Sequence, residues 1–189
     1  LHPEGVYDDP KGGKLRQEIY QRLRYHFQFQ NQLMLFPIAD RTKYSVNIFS
    51  FTQSPDFKTI ANLFAVKTVD QSLEHDGKGE VGGIKDETNS WNFKGHEKRV
   101  INVNLKTLEL FATLYDSEGT TAGEARLPAL HSQQLVSVLE KFAQQDKRLG
   151  NLKGEYIALE MWHETNAQKE NTIRRETKFP ESPKELILS

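Results

Sequence analysis

The sequence predicts a mixed α/β fold, with helices and strands interleaved along one chain, and three features predict it. A helix-period apolar stripe runs through 14–27. Two alternating stretches, "FQFQ" and "KYSVNIF", follow it, and a short strand, "RVINVN", leads straight into the helical pattern "LKTLELFATLY". Period 3.6 and period 2 alternating in this way mark helices packed on a sheet.

Taken in order, Leu1 reads as the last residue of a buried strand and His2-Pro3-Glu4-Gly5 as a turn, so the chain is expected to be an internal piece of a longer protein. From Lys14 to Phe27, Leu15, Ile19 and Leu23 recur every four residues, with Tyr20 and Phe27 widening the stripe. Arg16, Gln17, Gln21, Arg22 and Arg24 fall elsewhere, and Gly12-Gly13 mark the start of this helix. His26 would close it as a favourable C-terminal group. In "FQFQNQLMLF" the first half alternates, while Leu33 to Phe36 are apolar on both faces, so this strand is expected to enter a core at its far end. The loop "PIADRT" and the alternating Tyr44, Val46 and Ile48 then complete an antiparallel pair.

After Pro55, Phe57, Ile60, Leu63 and Phe64 stand at helical spacing behind Asp56, which predicts a helix over 56–66. Residues 74–98 are polar and glycine-rich, a long excursion carrying Trp91 and Phe93. Asn104 caps the helix at 105–115, Ser132 is placed to cap "QQLVSVLEKFAQQ", and "EYIALEMW" reads as a strand before a polar run. The expected division is 1–54, then a mostly helical connecting segment with the glycine-rich loop over 55–150, then 151–189.

Lys and Arg number 25 against 26 Asp and Glu, a net charge of −1, so the whole molecule has no electrostatic pull towards nucleic acid or anionic membrane, though a local patch would. No apolar run approaches the ~20 residues of a membrane span. With no Cys, disulfides, thiolate metal sites and Cys nucleophiles are excluded, and a cytoplasmic location is expected. Gly77, Gly79 and Gly82 spell G-x-G-x-x-G, but polar "LEHD" precedes them and no helical period follows, so the dinucleotide fingerprint is not met. His163-Glu164 would begin a zinc motif whose second His position is Ala167, and no metal site is expected.

The run from Trp162 to Lys178 is different. Trp162, His163, Asn166, Lys169, Arg174 and Arg175 combine a stacking surface with groups that grip phosphates and base edges. Composition alone leaves open a solvated loop whose arginines pair with Glu170 and Glu176. Lys94, His96, Lys98 and Arg99 around Trp91 carry the same two readings.

The stretches "LHPEGVYDDPKGGKLR", "LRYHFQFQNQLMLF", "TKYSVNIFS", "GIKDETNSWNFKGHEKRVI", "EARLPALHSQQL" and "EMWHETNAQKENTIRRETKFPESPKELILS" resemble large adenine-specific DNA methyltransferases of the single-chain, type IIG-like restriction–modification kind and their phage-defence relatives. The resemblance implies the C-terminal part of a class I methyltransferase sheet, with S-adenosylmethionine and the target base at the carboxyl ends of the strands. Leu1 would end the fifth strand, His2 to Asp9 would be its carboxyl-end loop, and a helix and an antiparallel strand pair would follow. By position, His2, Pro3, Glu4 and Tyr7 would border the target pocket, a turn-structuring role staying open for each. The family's glycine-containing cofactor motif and its Asn/Asp-Pro-Pro-Tyr/Phe motif are missing, so no catalytic residue is assigned.

The implied partner is double-stranded DNA, with no membrane. Lys11 and Lys14 join the six residues of 162–175 as DNA contacts. Self-association, or repacking of the first segment against the second, is also expected. The alternative is a non-catalytic DNA- or protein-interaction domain.

Overall fold

Residues Gly13–Arg22 form the helix that the apolar stripe predicts (α2), but the backbone turns to strand at Leu23, four residues before the pattern ends. The loop at 50–55 is part of the reason: Ser50 N–H and Gln53 N–H donate to the carbonyls of Arg22 and Gln21, taking the acceptors that a further helical turn would use. The buried side of α2 takes in Ile19 and Tyr20 of the predicted stripe, and Leu23 just past its end, but not the stripe's first residue. Arg16 and Tyr20 face inward and Leu15 is exposed. His26 therefore lies within a strand rather than at a helix end.

The computed structural model describes residues 2–157 and 163–173, and the chain divides into two compact units, Leu1–Gln145 and Asp146–Ser189. In the first unit, β1 (His2–Pro3), β2 (Leu23–Gln30), β3 (Lys43–Phe49), β4 (Asp56–Leu63) and β5 (Ile101–Asn104) make one mixed sheet in the order β1-β3-β2-β4-β5. β3 runs antiparallel to both β1 and β2, β2 and β4 are parallel, and β5 returns antiparallel to β4. The helices are α1 (Gly5–Asp8), α2, α3 (Lys67–Leu73), α4 (Leu105–Tyr115) and α5 (Gln133–Ala143). The described part of the second unit holds a short 3-10 turn at Leu149–Leu152 and α6 (Glu164–Lys169).

The antiparallel pair is as expected, with Phe27 opposite Val46 and Phe29 opposite Tyr44. So are β5 and α4, whose cap forms as predicted: Asn104 Oδ1 accepts from Thr107 N–H at 3.1 Å. α5 begins after Ser132, whose hydroxyl donates to Gln134 Oε1 instead of capping the backbone. Further expectations are overturned. Residues 56–63 are strand, not helix, because β4 lies between β2 and β5 and is buried on both faces. Leu33 to Phe36 do not enter a core. They leave the sheet in a loop knotted by buried Asn31, whose amide donates to the carbonyls of Phe36 and Ile38 and accepts from Phe36 N–H. At 155–157, the described start of "EYIALEMW", there is no strand, and 158–162 lie outside the described residues.

Strand register divides the sheet into two faces. His26, Gln28, Ser45, Asn47, Phe57, Thr59, Ile101 and Val103 share one, and Phe27, Phe29, Tyr44 and Ile60 share the other. The larger core lies on the first face, where Phe57, Ile101 and Val103 pack with Tyr20, Leu108, Phe111 and Val136 from α2, α4 and α5. Each such buried side chain contributes roughly 1.5–3 kcal/mol. The opposite face holds a smaller cluster of Phe27, Phe29, Tyr44, Ile60, Leu63 and Val69. Among the described residues no helix is long and apolar enough to cross a membrane.

Candidate functional site

The apolar packing on the first face stops at β2 and β3, where a buried polar cluster takes over. Strand alternation turns His26 and Gln28 of β2, Ser45 and Asn47 of β3 and Thr59 of β4 to the same side, beneath the turn that follows β1. That turn supplies Glu4 and Tyr7. Glu4 is 7% exposed, His26 1% and Tyr7 0%.

Glu4 stands at the centre. Its Oε1 accepts from Gln28 Nε2 at 2.7 Å and lies 3.5 Å from His26 Nε2. The far side of the imidazole is fixed by Thr59 Oγ1, 2.8 Å from Nδ1. Where the threonine hydroxyl donates to Nδ1, the neutral ring carries its proton on Nε2, the nitrogen nearer the carboxylate, and this Nε2 makes no hydrogen bond among the described residues. Tyr7 O–H donates to Asn47 Oδ1 at 2.8 Å, and its ring meets His26 edge-on with centres 4.3 Å apart. Burial, and then the charge of Glu4, push the Tyr7 phenol well above its ordinary range, so it stays a donor. Asn47 Nδ2 donates in turn to Ser45 Oγ. Among the described residues Glu4 Oε2 has no partner, which leaves one buried acceptor open at the carboxyl end of β1. Chemically the group sets a buried carboxylate beside an imidazole and leaves Glu4 Oε2 and His26 Nε2 without a hydrogen-bond partner among the described residues.

Of the four residues expected at the target pocket, the structure brings Glu4 and Tyr7 into this cluster. His2 is half-buried, its ring 5.8 Å from that of Phe49, and Pro3 is exposed and paired opposite Tyr44. Lys11 and Lys14 line a groove of about 610 Å³ together with Arg16, Asp116, Glu124 and Arg126. Its charges are largely matched: Lys14 pairs with Glu124 at 2.7 Å and Arg126 with Asp116 at 2.7 Å. Arg16 donates to the carbonyls of Asp9 and Glu124. In the second unit His163, Asn166 and Lys169 are exposed on or beside α6, where His163 Nδ1 accepts from Asn166 N–H as its cap. Trp162, Arg174 and Arg175 lie outside the described residues.

The cluster members that sequence reading missed are His26, Gln28, Ser45, Asn47 and Thr59. A signal existed for two of them: in "LRYHFQFQ" His26 and Gln28 share the face opposite Tyr25, Phe27 and Phe29, once the strand is started at Leu23. No family model, curated protein or solved structure matches this chain.

Proposed function

We propose that this chain is part of an adenine-specific DNA methyltransferase of the single-chain restriction–modification or phage-defence type, and that it contributes the end of the catalytic sheet and part of the DNA-contacting surface. One observation carries the reading. β1 is followed by α2 and then by an antiparallel pair, β2 and β3, with β3 seated against β1. That succession is the one the resemblance implies, except that the strand runs through His2–Pro3, expected in the loop, and the Glu4 cluster lies at the carboxyl end of β1, where open α/β sheets take their ligands. The sheet also goes beyond it, since β4 and β5 continue past β2.

S-adenosylmethionine would supply the methyl group, but the residues here do not fit it. Glu4, Tyr7, His26 and Gln28 are engaged with one another and closed off from solvent, and the two family motifs are absent from the sequence. No step is routed through the cofactor. Glu4 and His26 instead fix the shape of the β1–α1 turn, on which the floor of a base pocket would rest. The same closed cluster favours a second reading, a non-catalytic DNA- or protein-interaction domain.

Fluorescence anisotropy with a labelled duplex and calorimetry with S-adenosylmethionine test the proposal. Duplex affinity is expected to fall steeply with salt, as phosphate contacts require, with no cofactor isotherm. Duplex binding that ignores salt, or none at all, overturns the DNA role. Cofactor binding by this chain overturns the claim that its residues do not hold the cofactor.

A further inference from the structure

The glycine-rich excursion 74–98 is a built element. Its return leg is sewn to α3: Thr68 Oγ1 donates to the Phe93 carbonyl (2.7 Å), Gly95 N–H to Gln71 Oε1 (3.1 Å) and His96 N–H to Ser72 Oγ (3.2 Å). Gly95 is required there, since a Cβ would lie 2.4 Å from Gln71 Cβ. The outer leg folds on itself, with Lys85 bridging Trp91 and Asn92 N–H donating to the Ile84 carbonyl. Asp86 closes the turn by accepting from Thr88 and Ser90. Residues of both legs, with Lys67 and Gln71 of α3, line a cleft of about 880 Å³.

The chemistry of the cleft differs from that of the groove beside Lys14. Lys67 Nζ lies 5.7 Å from the centre of the Phe93 ring and Lys85 Nζ 4.9 Å from that of Trp91. Phe64 packs against both aromatics. Among the described residues Lys67, Lys85 and Lys94 form no salt bridge, whereas Lys78 is paired with Asp76. His96, also in the lining, is 4% exposed. Its Nδ1 accepts from Lys98 N–H, so the neutral ring carries its proton on Nε2, and that buried N–H has no acceptor among the described residues.

The lining also holds Glu80, Asp86 and Glu87, of which Asp86 is taken up by Thr88 and Ser90 and feels the charge of Lys94. Three lysines outside any salt bridge, an N–H without an acceptor and two partly exposed aromatic rings still suit an anion rich in acceptors that also carries a flat ring. We infer that this cleft receives a short stretch of a single nucleic-acid strand, with phosphodiesters on Lys67, Lys85 and Lys94 and a base against the Trp91–Phe93 pair. At about 880 Å³ the cleft has room for a nucleotide within the range of about 300 to about 1,000 Å³ of small-molecule pockets, and the three lysines spaced around it are what favour a strand with several phosphodiesters. The inference rests on the nucleic-acid half of the proposed function and is independent of methyl transfer.

The test uses the 189-residue chain with a fluorescein-labelled oligothymidylate read by anisotropy, and with an iododeoxyuridine strand photo-cross-linked and mapped by mass spectrometry. The variant K67A/K85A/K94A is expected to bind the strand at least tenfold more weakly. Its slope of log affinity against log salt should be shallower by about 2, at ~0.7 per phosphate contact. The cross-link should fall in the peptide holding Trp91 and Phe93. Lys85→Glu alone should weaken binding about threefold, which keeps the test open if the triple variant does not fold. Unchanged affinity in a folded triple variant, or cross-links confined to other peptides, overturns the inference. Thymidine monophosphate or inorganic phosphate competing as well as the strand overturns the strand assignment in favour of a small-nucleotide site. If duplex binding is absent while strand binding persists with these lysine effects, the methyltransferase reading fails and this one stands. If duplex binding is salt-dependent but indifferent to the lysines and no strand binds, only this inference fails.

Discussion

Arg16 and Arg99 on one hand, and Lys67, Lys85 and Lys94 on the other, are all cationic, and the molecule uses them in opposite ways. Both arginines are buried. Arg16 holds the carbonyls of Asp9 and Glu124, and Arg99 those of Ala61, Asn62 and Lys94, so each guanidinium gathers separate segments through backbone acceptors. Burial pushes Arg99 down to about 10, which leaves it charged near neutrality. The lysines stand over aromatic rings or at a cleft wall, and among the described residues none of the three forms a salt bridge. The lesson is that a basic residue is a candidate contact only after its existing partners have been counted. By that measure Arg99, one of the basic residues around Trp91, belongs to the interior, and Lys14 is weakened as a contact by Glu124.

The sharpest way to break this comparison is to remove an internal guanidinium. Arg16→Ala is expected to cost about 3 kcal/mol in urea unfolding, because buried carbonyls lose their donors at once. Arg16→Lys should recover only part, since an ammonium cannot reproduce the fork. A loss below about 0.5 kcal/mol would place Arg16 with the surface cations. Next in size, Thr59→Val releases the far side of His26 and should cost about 1–2 kcal/mol by the same measurement. Lys67→Ala, Lys85→Ala or Lys94→Ala, by contrast, should each stay within about 0.5 kcal/mol of the parent.

The smallest effect is a pH dependence at His131. Its Nε2–H donates to the Gly82 carbonyl, and Nδ1 is buried without a partner among the described residues. Burial, reinforced by Arg99, lowers its pKa below the ordinary value. The unfolded chain therefore takes up the proton first. The stabilisation is complete above about pH 6.5 and is lost as pH falls below it. Melting temperatures followed from about pH 8 to about pH 5 should show a decline that is shallower in His131→Gln.

Much of the element order was legible because local signals agreed. Asn104 before a clear apolar stripe, and the alternation of Tyr44, Val46 and Ile48, admit one reading each. The strand β4 was not legible. A strand covered on both faces loses its two-residue rhythm, and Phe57, Ile60, Leu63 and Phe64 then satisfy a helical period equally well. The same degeneracy hid the end of α2, where Leu23 and Phe27 fit both the helix stripe behind them and the strand ahead. Of the Glu4 cluster, Glu4 and Tyr7 came from the resemblance alone. Thr59 and Asn47 join through strand pairings between distant segments, which no local window contains. Of the cleft lysines only Lys94 was legible, beside Trp91; a glycine-rich loop gives no period from which to say that Lys85, or Lys67 of α3, converges with it.

The connection at 50–55 has a consequence for how the molecule assembles. β3 and β4 are neighbours in the chain, yet they sit on opposite sides of β2, so these six residues must pass across the α2–β2 junction. Arg24 holds the passage, donating to the Phe51 carbonyl and lying over the Phe51 ring, 5.1 Å from its centre. β2 is the one strand that both β3 and β4 pair with, so its two edges have to be filled from two sides by consecutive segments of chain. A chain caught midway would offer the free side of β2 to the β4 of a neighbouring molecule. Exchange of that strand between copies is thus the misassembly this topology invites at high concentration.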